Sequence, residues 1–159
     1  MNKIRENKGF TLLEILLVVA AIAILAGIVI IAINPAKQLG DTRNAQRSSD
    51  INTLLNAIWQ YSIDNNGNLP AGIDGSASTY QVIGSATTTC DTTCGAVGST
   101  TASCVDLTAE LVPDYIAAVP FDPQTASTTN TDYYVNKVGN RVTIGVCDPE
   151  QGAVLEVTR

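Results

Sequence analysis

A long apolar run near the N-terminus constrains this chain more than any other feature. All 24 residues from 10 to 33 are apolar or small except Thr11 and Glu14. A helix of that length would be about 36 Å long, which is enough to cross the hydrocarbon core of a bilayer. A secretory signal has a shorter apolar region, and cleavage after Ala23 would leave an insoluble end. The run therefore predicts a membrane-spanning helix and not a removable signal.

Glu14 is the residue that a plain membrane anchor leaves unexplained. A charged carboxylate inside a membrane helix costs about 2.5–3.5 kcal/mol to insert, and such residues usually serve a function. A plain anchor stays open as an alternative, because Glu14 lies near the start of the run, where its side chain can reach the lipid headgroups.

Charge is divided between a basic N-terminus and an acidic remainder. The chain has 9 Lys+Arg, 15 Asp+Glu and no His, so its formal net charge is −6. Residues 1–9 carry +2 and the remainder carries −8. Basic flanks stay in the cytoplasm, so the chain beyond the apolar run is predicted to be exported. The lack of His and of clustered Lys and Arg argues against common hydrolase sites and against a nucleic-acid site.

Four cysteines lie beyond the apolar run. They are Cys90, Cys94, Cys104 and Cys147. In an exported domain an even count predicts two disulfides, but three pairings are compatible with four cysteines. A zinc site is the alternative, and it would need all four thiolates at spacings that differ from those of common zinc modules.

The stretch KGFTLLE, residues 8–14, resembles the processing motif of type IV pilins and of the pseudopilins of type II secretion. The resemblance implies that a prepilin peptidase cleaves between Gly9 and Phe10 and that the new Phe10 amine is methylated. It also implies that Glu14 pairs with the Phe10 ammonium of a neighbouring subunit during filament assembly. Opposite charges attract strongly in a low-dielectric environment, so such a pair would fix the register between helices.

The resemblance implies a structural subunit and not an enzyme. The expected function is a pilin of a type IV pilus or pilus-like filament, and a major pseudopilin of type II secretion is the alternative. The implied partners are further copies of the chain, the prepilin peptidase and methyltransferase, an inner-membrane assembly platform and membrane lipids. Before assembly the chain would cross the cytoplasmic membrane once with its N-terminus inside. Afterwards it would be part of an extracellular or periplasmic filament.

A membrane-anchored binding module or enzyme is the remaining alternative. The exported part of the sequence contains no nucleophile elbow, phosphate loop or metal-ligand pair. No cofactor is predicted except calcium, which is what the resemblance implies, because the corresponding region of some major pseudopilins binds calcium. The candidate calcium ligands are three acidic residues placed in loops near the sheet, where carboxylates and carbonyls can supply oxygens. They are Asp122, Asp132 and Asp148, and solvated loop acids are the other interpretation.

The sequence predicts an α+β fold in which a long helix packs on a small antiparallel sheet, as in the pilin α/β-roll. The predicted parts are a leader at 1–9, a membrane and filament-core helix at 10–34, an amphipathic helix at 35–66 and a globular head at 67–159. Helix breaks are expected at Gly27 and Pro35.

The amphipathic helix is predicted from a stripe at positions i, i+3, i+4 and i+7. The stripe consists of Ile51, Leu54, Leu55 and Ile58, and Asn66-Gly67 ends the helix. The stretch 41–70, DTRNAQRSSDINTLLNAIWQYSIDNNGNLP, also resembles pilins and pseudopilins. Its charged residues, Arg43 and Arg47 among them, form either a solvated face with local ion pairs or pairs between subunits.

Within the head, residues 71–106 form a predicted Ser/Thr/Cys-rich loop and residues 132–158 a predicted sheet of about three strands. Gly139-Asn140 is a two-residue hairpin signal between two β-branched runs. A short helix or turn near Leu107–Leu111, ended by Pro113, is predicted between loop and sheet.

Overall fold

The structure is a computed structural model, and it describes residues 9–88 and 90–159. The chain divides into two compact units, with the boundary between Leu39 and Gly40. The first unit contains helix α1, Leu12–Ile33, and the start of helix α2, Pro35–Asp64. The second unit, Gly40–Arg159, is called the head below. Of the leader predicted at 1–9, residues 1–8 with its basic side chains lie outside the described part.

The two helices are separated by a single residue. Asn34 adopts a left-handed conformation with φ 46°, and its side chain accepts a hydrogen bond from the Lys37 N–H at 3.3 Å. α2 then begins at Pro35, the first helical position, where a missing N–H costs nothing. The helix does not break at Gly27, because an internal glycine costs only about 1 kcal/mol relative to alanine.

The core of the head lies between α2 and the sheet. The predicted stripe on α2 is buried, since Ile51, Leu54, Leu55 and Ile58 are at most 2% exposed. They pack with apolar residues of the sheet in one cluster. α2 ends at Asp64. Asn66 and Gly67, the helix stop predicted from the sequence, follow within three residues and take positive φ values of 58° and 88°.

The main sheet has four antiparallel strands in the order β1-β4-β5-β6. The strands are β1 Gln81–Val82, β4 Tyr133–Val138, β5 Arg141–Val146 and β6 Glu156–Thr158. β4, β5 and β6 confirm the predicted sheet, and Gly139 at φ 60° forms the hairpin turn. β1 was missed because it has only two residues, too few for an alternating pattern.

The Ser/Thr/Cys-rich segment is more ordered than the loop that its composition predicts. It contains β1 and a second small sheet made of β2, Thr93–Cys94, and β3, Gly98–Ser99. Disulfides join Cys90 to Cys104 and Cys94 to Cys147, so all four thiols are used and none is left for zinc. The second disulfide ties β2 to the residue that follows β5. These cross-links supply order that small polar side chains cannot.

Helix α3, Thr108–Leu111, connects this segment to the sheet, and Leu111 is fully buried in the core. A short 3-10 turn at Glu150–Gly152 separates β5 from β6. Ion pairs connect this turn and the loop around Asp122 to Arg47, which lies on the part of α2 that belongs to the head.

Candidate functional site

The proposed cleavage position lies just outside helix α1. Gly9 and Phe10 are not helical, and the Phe10 side chain is 78% exposed. Among the described residues, apart from Gly9 itself and its chain neighbours, no atom lies within 4 Å of the position that a Cβ on Gly9 would occupy. Proteases bind extended chain, and in this chain nothing described near Gly9 obstructs the Gly9–Phe10 bond.

Thr11 fixes the start of α1. It has extended backbone angles, and its hydroxyl accepts a hydrogen bond from the Glu14 N–H at 3.2 Å. Thr-x-x-Glu is the capping-box pattern, in which the first and fourth residues satisfy free N–H groups at a helix start. The Glu14 carboxylate also lies in the first turn, near the positive end of the helix dipole. This local role was missed, although the Thr-x-x-Glu spacing is visible in the sequence.

Helix α1 has no partner among the described residues. None of its 22 residues is buried, and its most apolar window has a mean hydropathy of 3.3. Among the described residues it is the one helix with the length and composition to cross a membrane. A helix that is apolar on every side needs lipid or other helices around it.

A buried ion cluster lies where α2 enters the head. Arg47 is 1% exposed, and its guanidinium donates to Asp122 through Nε at 2.5 Å and through Nη2 at 3.1 Å. Its Nη1 donates to Glu150 at 2.8 Å, and Arg43 donates to both oxygens of the same carboxylate. Asn44 completes the cluster, because its side chain bonds both the N–H and the C=O of Glu150. The ion cluster thus joins α2 to two loops that lie far along the chain.

This arrangement gives the arginines on α2 partners within the chain, and pairing between subunits stays a prediction. The carboxylate partners of Arg43 and Arg47 lie in the same chain; Arg47 is buried, whereas the Arg43 side chain stays 31% exposed. Asp50 is also buried, and it accepts a hydrogen bond from the Tyr133 hydroxyl at 2.9 Å. Their helical spacing gave no sign of this, because the partners are more than 70 residues away in sequence.

The ion cluster keeps its carboxylates ionised. Burial alone would raise the pKa of Asp122, but hydrogen bonds from Arg47 and the Gln124 backbone outweigh it and lower that pKa. Hydrogen bonds from Arg43, and then from Arg47, lower the pKa of Glu150 to about 2.

The three calcium candidates lie in different settings. Asp122 is occupied by Arg47, while Asp132 is 4% exposed and accepts a hydrogen bond from Thr125 at 2.5 Å. Burial raises the pKa of Asp132, and the nearby charges of Asp122 and Asp148 raise it further. Among the described residues no group of three His, Cys, Asp or Glu is arranged to hold a metal ion. Calcium binding there stays a prediction.

We expect Arg47→Ala to destabilise the head strongly, because it leaves the buried carboxylate of Asp122 without its cation. Removing one partner of a buried ion pair costs about 3–5 kcal/mol. The measurement is urea unfolding of the full chain in detergent micelles, followed by the fluorescence of Trp59. Arg141→Ala is the matched control, because Arg141 is exposed and its loss should change the free energy of unfolding by under about 0.5 kcal/mol. If the two substitutions lowered the free energy of unfolding equally, the stabilising role assigned to the buried Arg47–Asp122 ion pair would be contradicted.

A second expectation concerns the loss of stability of the head at low pH. Because the pKa of Glu150 is lowered from 4.5 to about 2, its ion pairs stabilise the head fully above its unfolded-state pKa. That contribution is lost as the pH falls from 4.5 towards about 2. The Glu150→Gln variant should therefore lose less stability than the wild type across this interval. The measurement is urea unfolding at several pH values, with Asp41→Asn as a charge-matched control on α2. The prediction would be contradicted if the free energy of unfolding fell equally with pH in the wild type and in Glu150→Gln.

Comparison with known proteins finds matches that cover part of the chain. The family described as "Prokaryotic N-terminal methylation motif" matches residues 4–30. A protein named "Type II secretion system core protein G" from Vibrio cholerae serotype O1 is 40% identical over 65 residues, which are 41% of this chain and 43% of that protein. Its namesake from Aeromonas hydrophila is 40% identical over 62 residues, which are 39% and 42% of the two chains.

The matched region spans less than half the length of either curated relative. No solved structure matches the chain significantly. The range matched by the methylation-motif family contains Gly9, Phe10 and Glu14, three residues of the stretch on which the resemblance was inferred. The chain therefore carries a prepilin-type N-terminal segment, and its resemblance to pilins and pseudopilins is confirmed.

Proposed function

We propose that this chain is a structural subunit of a type IV pilus or pilus-like filament. The observation that carries the proposal is an exposed Gly9–Phe10 bond placed directly before a capped helix that is apolar on every side and has no buried residue. Such a helix is stable in lipid before assembly and among copies of itself afterwards. A structural role needs no catalytic residues.

The proposed processing step is hydrolysis of the Gly9–Phe10 peptide bond by a prepilin peptidase on the cytoplasmic side, followed by methylation of the new amine. Cleavage places an ammonium group on Phe10, one residue before the N-cap of α1. A positive charge is unfavourable at this end of a helix dipole. A carboxylate from outside the chain would relieve it.

Glu14 of a neighbouring copy is the carboxylate that we assign to this role. Within an environment of low dielectric constant, an unpaired charge is costly and an ion pair is strong. Each incoming subunit would thus gain from presenting its Phe10 ammonium to a Glu14 already in the filament. The pair would set how far one α1 helix slides along the next.

A pseudopilin of a type II secretion system is the second candidate. The specific observation in its favour is that both relatives reported above are named as core protein G of that system. In either case the chain would cross the cytoplasmic membrane once before assembly, with residues 1–9 inside. The head would then lie outside the cytoplasm, where its disulfides are stable.

We expect protein isolated from its native cells to begin at N-methylated Phe10 and to contain two disulfides. Intact mass and N-terminal sequencing measure both. In Gly9→Leu the added Cβ lies more than 4 Å from the described residues other than its chain neighbours, so loss of cleavage would report on recognition by the peptidase. Gly27→Ala, whose Cβ also meets open space, is the control and should be cleaved normally. A wild-type chain that keeps Met1, or that begins after Ala23, would contradict the proposal.

Glu14→Gln should be cleaved and methylated but should yield at least ten times less filament in the sheared fraction. Glutamine keeps the shape of the side chain and is equally suited to a capping box, so the substitution removes only the charge. Glu14→Asp keeps the charge and should retain more assembly than Glu14→Gln. The measurement compares sheared filament with processed subunit in the membrane fraction. Wild-type filament yield from Glu14→Gln would exclude the role proposed for this carboxylate.

A further inference from the structure

The head is strongly acidic, and its few basic residues are unevenly placed. It contains five Lys and Arg against thirteen Asp and Glu. Two of the five, Arg43 and Arg47, belong to the ion cluster. The remaining three are Lys137, Arg141 and Arg159.

These three basic residues lie at one end of the sheet, which we call the turn end. Lys137 and Arg141 flank the β4–β5 turn, and the Val142 backbone pairs with that of Arg159. Lys137 and Arg141 form no ion pair with any described residue, and the Arg159 guanidinium bonds to the Asn56 side chain. The turn end therefore carries positive charge that no carboxylate of the described chain neutralises.

An open groove lies towards the opposite end of the same strands, and we call it the tyrosine groove. Its volume is about 790 Å³, and its lining includes Tyr80, Tyr134, Asp148, Val154 and Glu156. No basic residue lines it, while Asp148 and Glu156 are exposed. Val154 is 80% exposed, so the groove also presents an apolar side chain that another molecule could cover.

The two tyrosines of the groove are held in place. Their rings meet edge to face with centroids 5.5 Å apart, and the Tyr134 hydroxyl donates to Glu156 at 3.2 Å. Tyr134 is buried at 2% exposure, so Tyr80 is the ring of the pair that a ligand can contact. A cationic side chain in the groove would gain from that ring and, above all, from the opposite charge of Asp148 and Glu156. The groove thus complements the chemistry of the turn end.

Within one copy no ion pair joins the turn end to this groove. Arg141 lies on the groove face of β5, but four residues before Gly145, the residue that pairs with both Tyr134 and Glu156. Tyr134 and Glu156 share one face of the sheet, whereas Lys137, three residues along β4, points to the other face. From Asp148 to Arg141 the chain runs along the length of β5, about 20 Å at the spacing of an extended strand.

We propose that the turn end of one head docks in the tyrosine groove of the next copy, with Lys137 beside Asp148 and Glu156 and with Arg141 adding positive charge at the same end of the sheet. The inference rests on the filament function proposed above and names a contact through which its heads associate. Because the two surfaces differ, the contact is head-to-tail, and contacts of this type extend into open helical assemblies unless the rotation closes a ring.

The test uses the full chain in sheared filaments made from a mixture of unlabelled and ¹⁵N-labelled copies. A carbodiimide joins an amine directly to a neighbouring carboxylate, and mass spectrometry identifies the joined peptides. We expect Lys137 to be linked to Asp148 or Glu156 in peptides that combine the two isotope labels. Lys137→Arg keeps the charge but removes the amine, so it should abolish the link and so identify the Lys137 amine as its source.

Charge reversal provides an independent measurement. The double variant K137E/R141E should lower filament yield at least fivefold, and adding D148K and E156K should restore most of it. Processed filaments without Lys137 links, links from Lys137 to a different protein, or no recovery in the fourfold variant would each overturn the contact. N-terminal sequencing of the same samples is read separately, since retention of residues 1–9 would overturn the filament function whatever the links show.

Discussion

The burial of one guanidinium organises the head. Arg47 lies on α2 among core residues, where an unsatisfied cation would cost several kcal/mol, and it is stable there because Asp122 and Glu150 accept its hydrogen bonds. Asp122 belongs to the loop before β4, and Glu150 belongs to the turn between β5 and β6. The Arg47 side chain thus holds both the loop before β4 and the turn between β5 and β6. The apolar stripe one turn further along can then pack on strands already held in position.

Helix α1 is subject to the opposite constraint. The head buries the charges of Arg47 and Asp122 inside one chain, whereas α1 leaves every apolar side chain exposed. Asn34 separates the uniformly apolar helix α1 from α2, whose single apolar stripe lies in the head. This contrast separates two kinds of stability. The head is stable through contacts within the chain, and α1 is stable only among lipids or other helices.

The parts that the sequence predicted well are those with local signals. The apolar run, the stripe on α2, the Asn66-Gly67 helix stop and the β4–β5 hairpin each depend on residues close together in sequence. The disulfide pairing, the ion cluster and strand β1 depend on distant residues. Arg47 and Asp122 are 75 residues apart, and no periodicity links them. Gly27 was misjudged because a weak local preference was overcome by the strong helix formers around it.

The same reasoning explains why filament assembly can involve two different forces. An α1 helix that is apolar on all sides has no preferred face, so apolar contacts alone leave its rotation and register free. Charged groups at fixed positions remove that freedom. Glu14 would act within the apolar layer, where the dielectric constant is low and the attraction is strong. Lys137 and Arg141 would act between heads in water, where the attraction is weaker and screened by salt within about 8–10 Å. Strong pairing would therefore set the helix register, and weaker pairing would let heads adjust without breaking the filament.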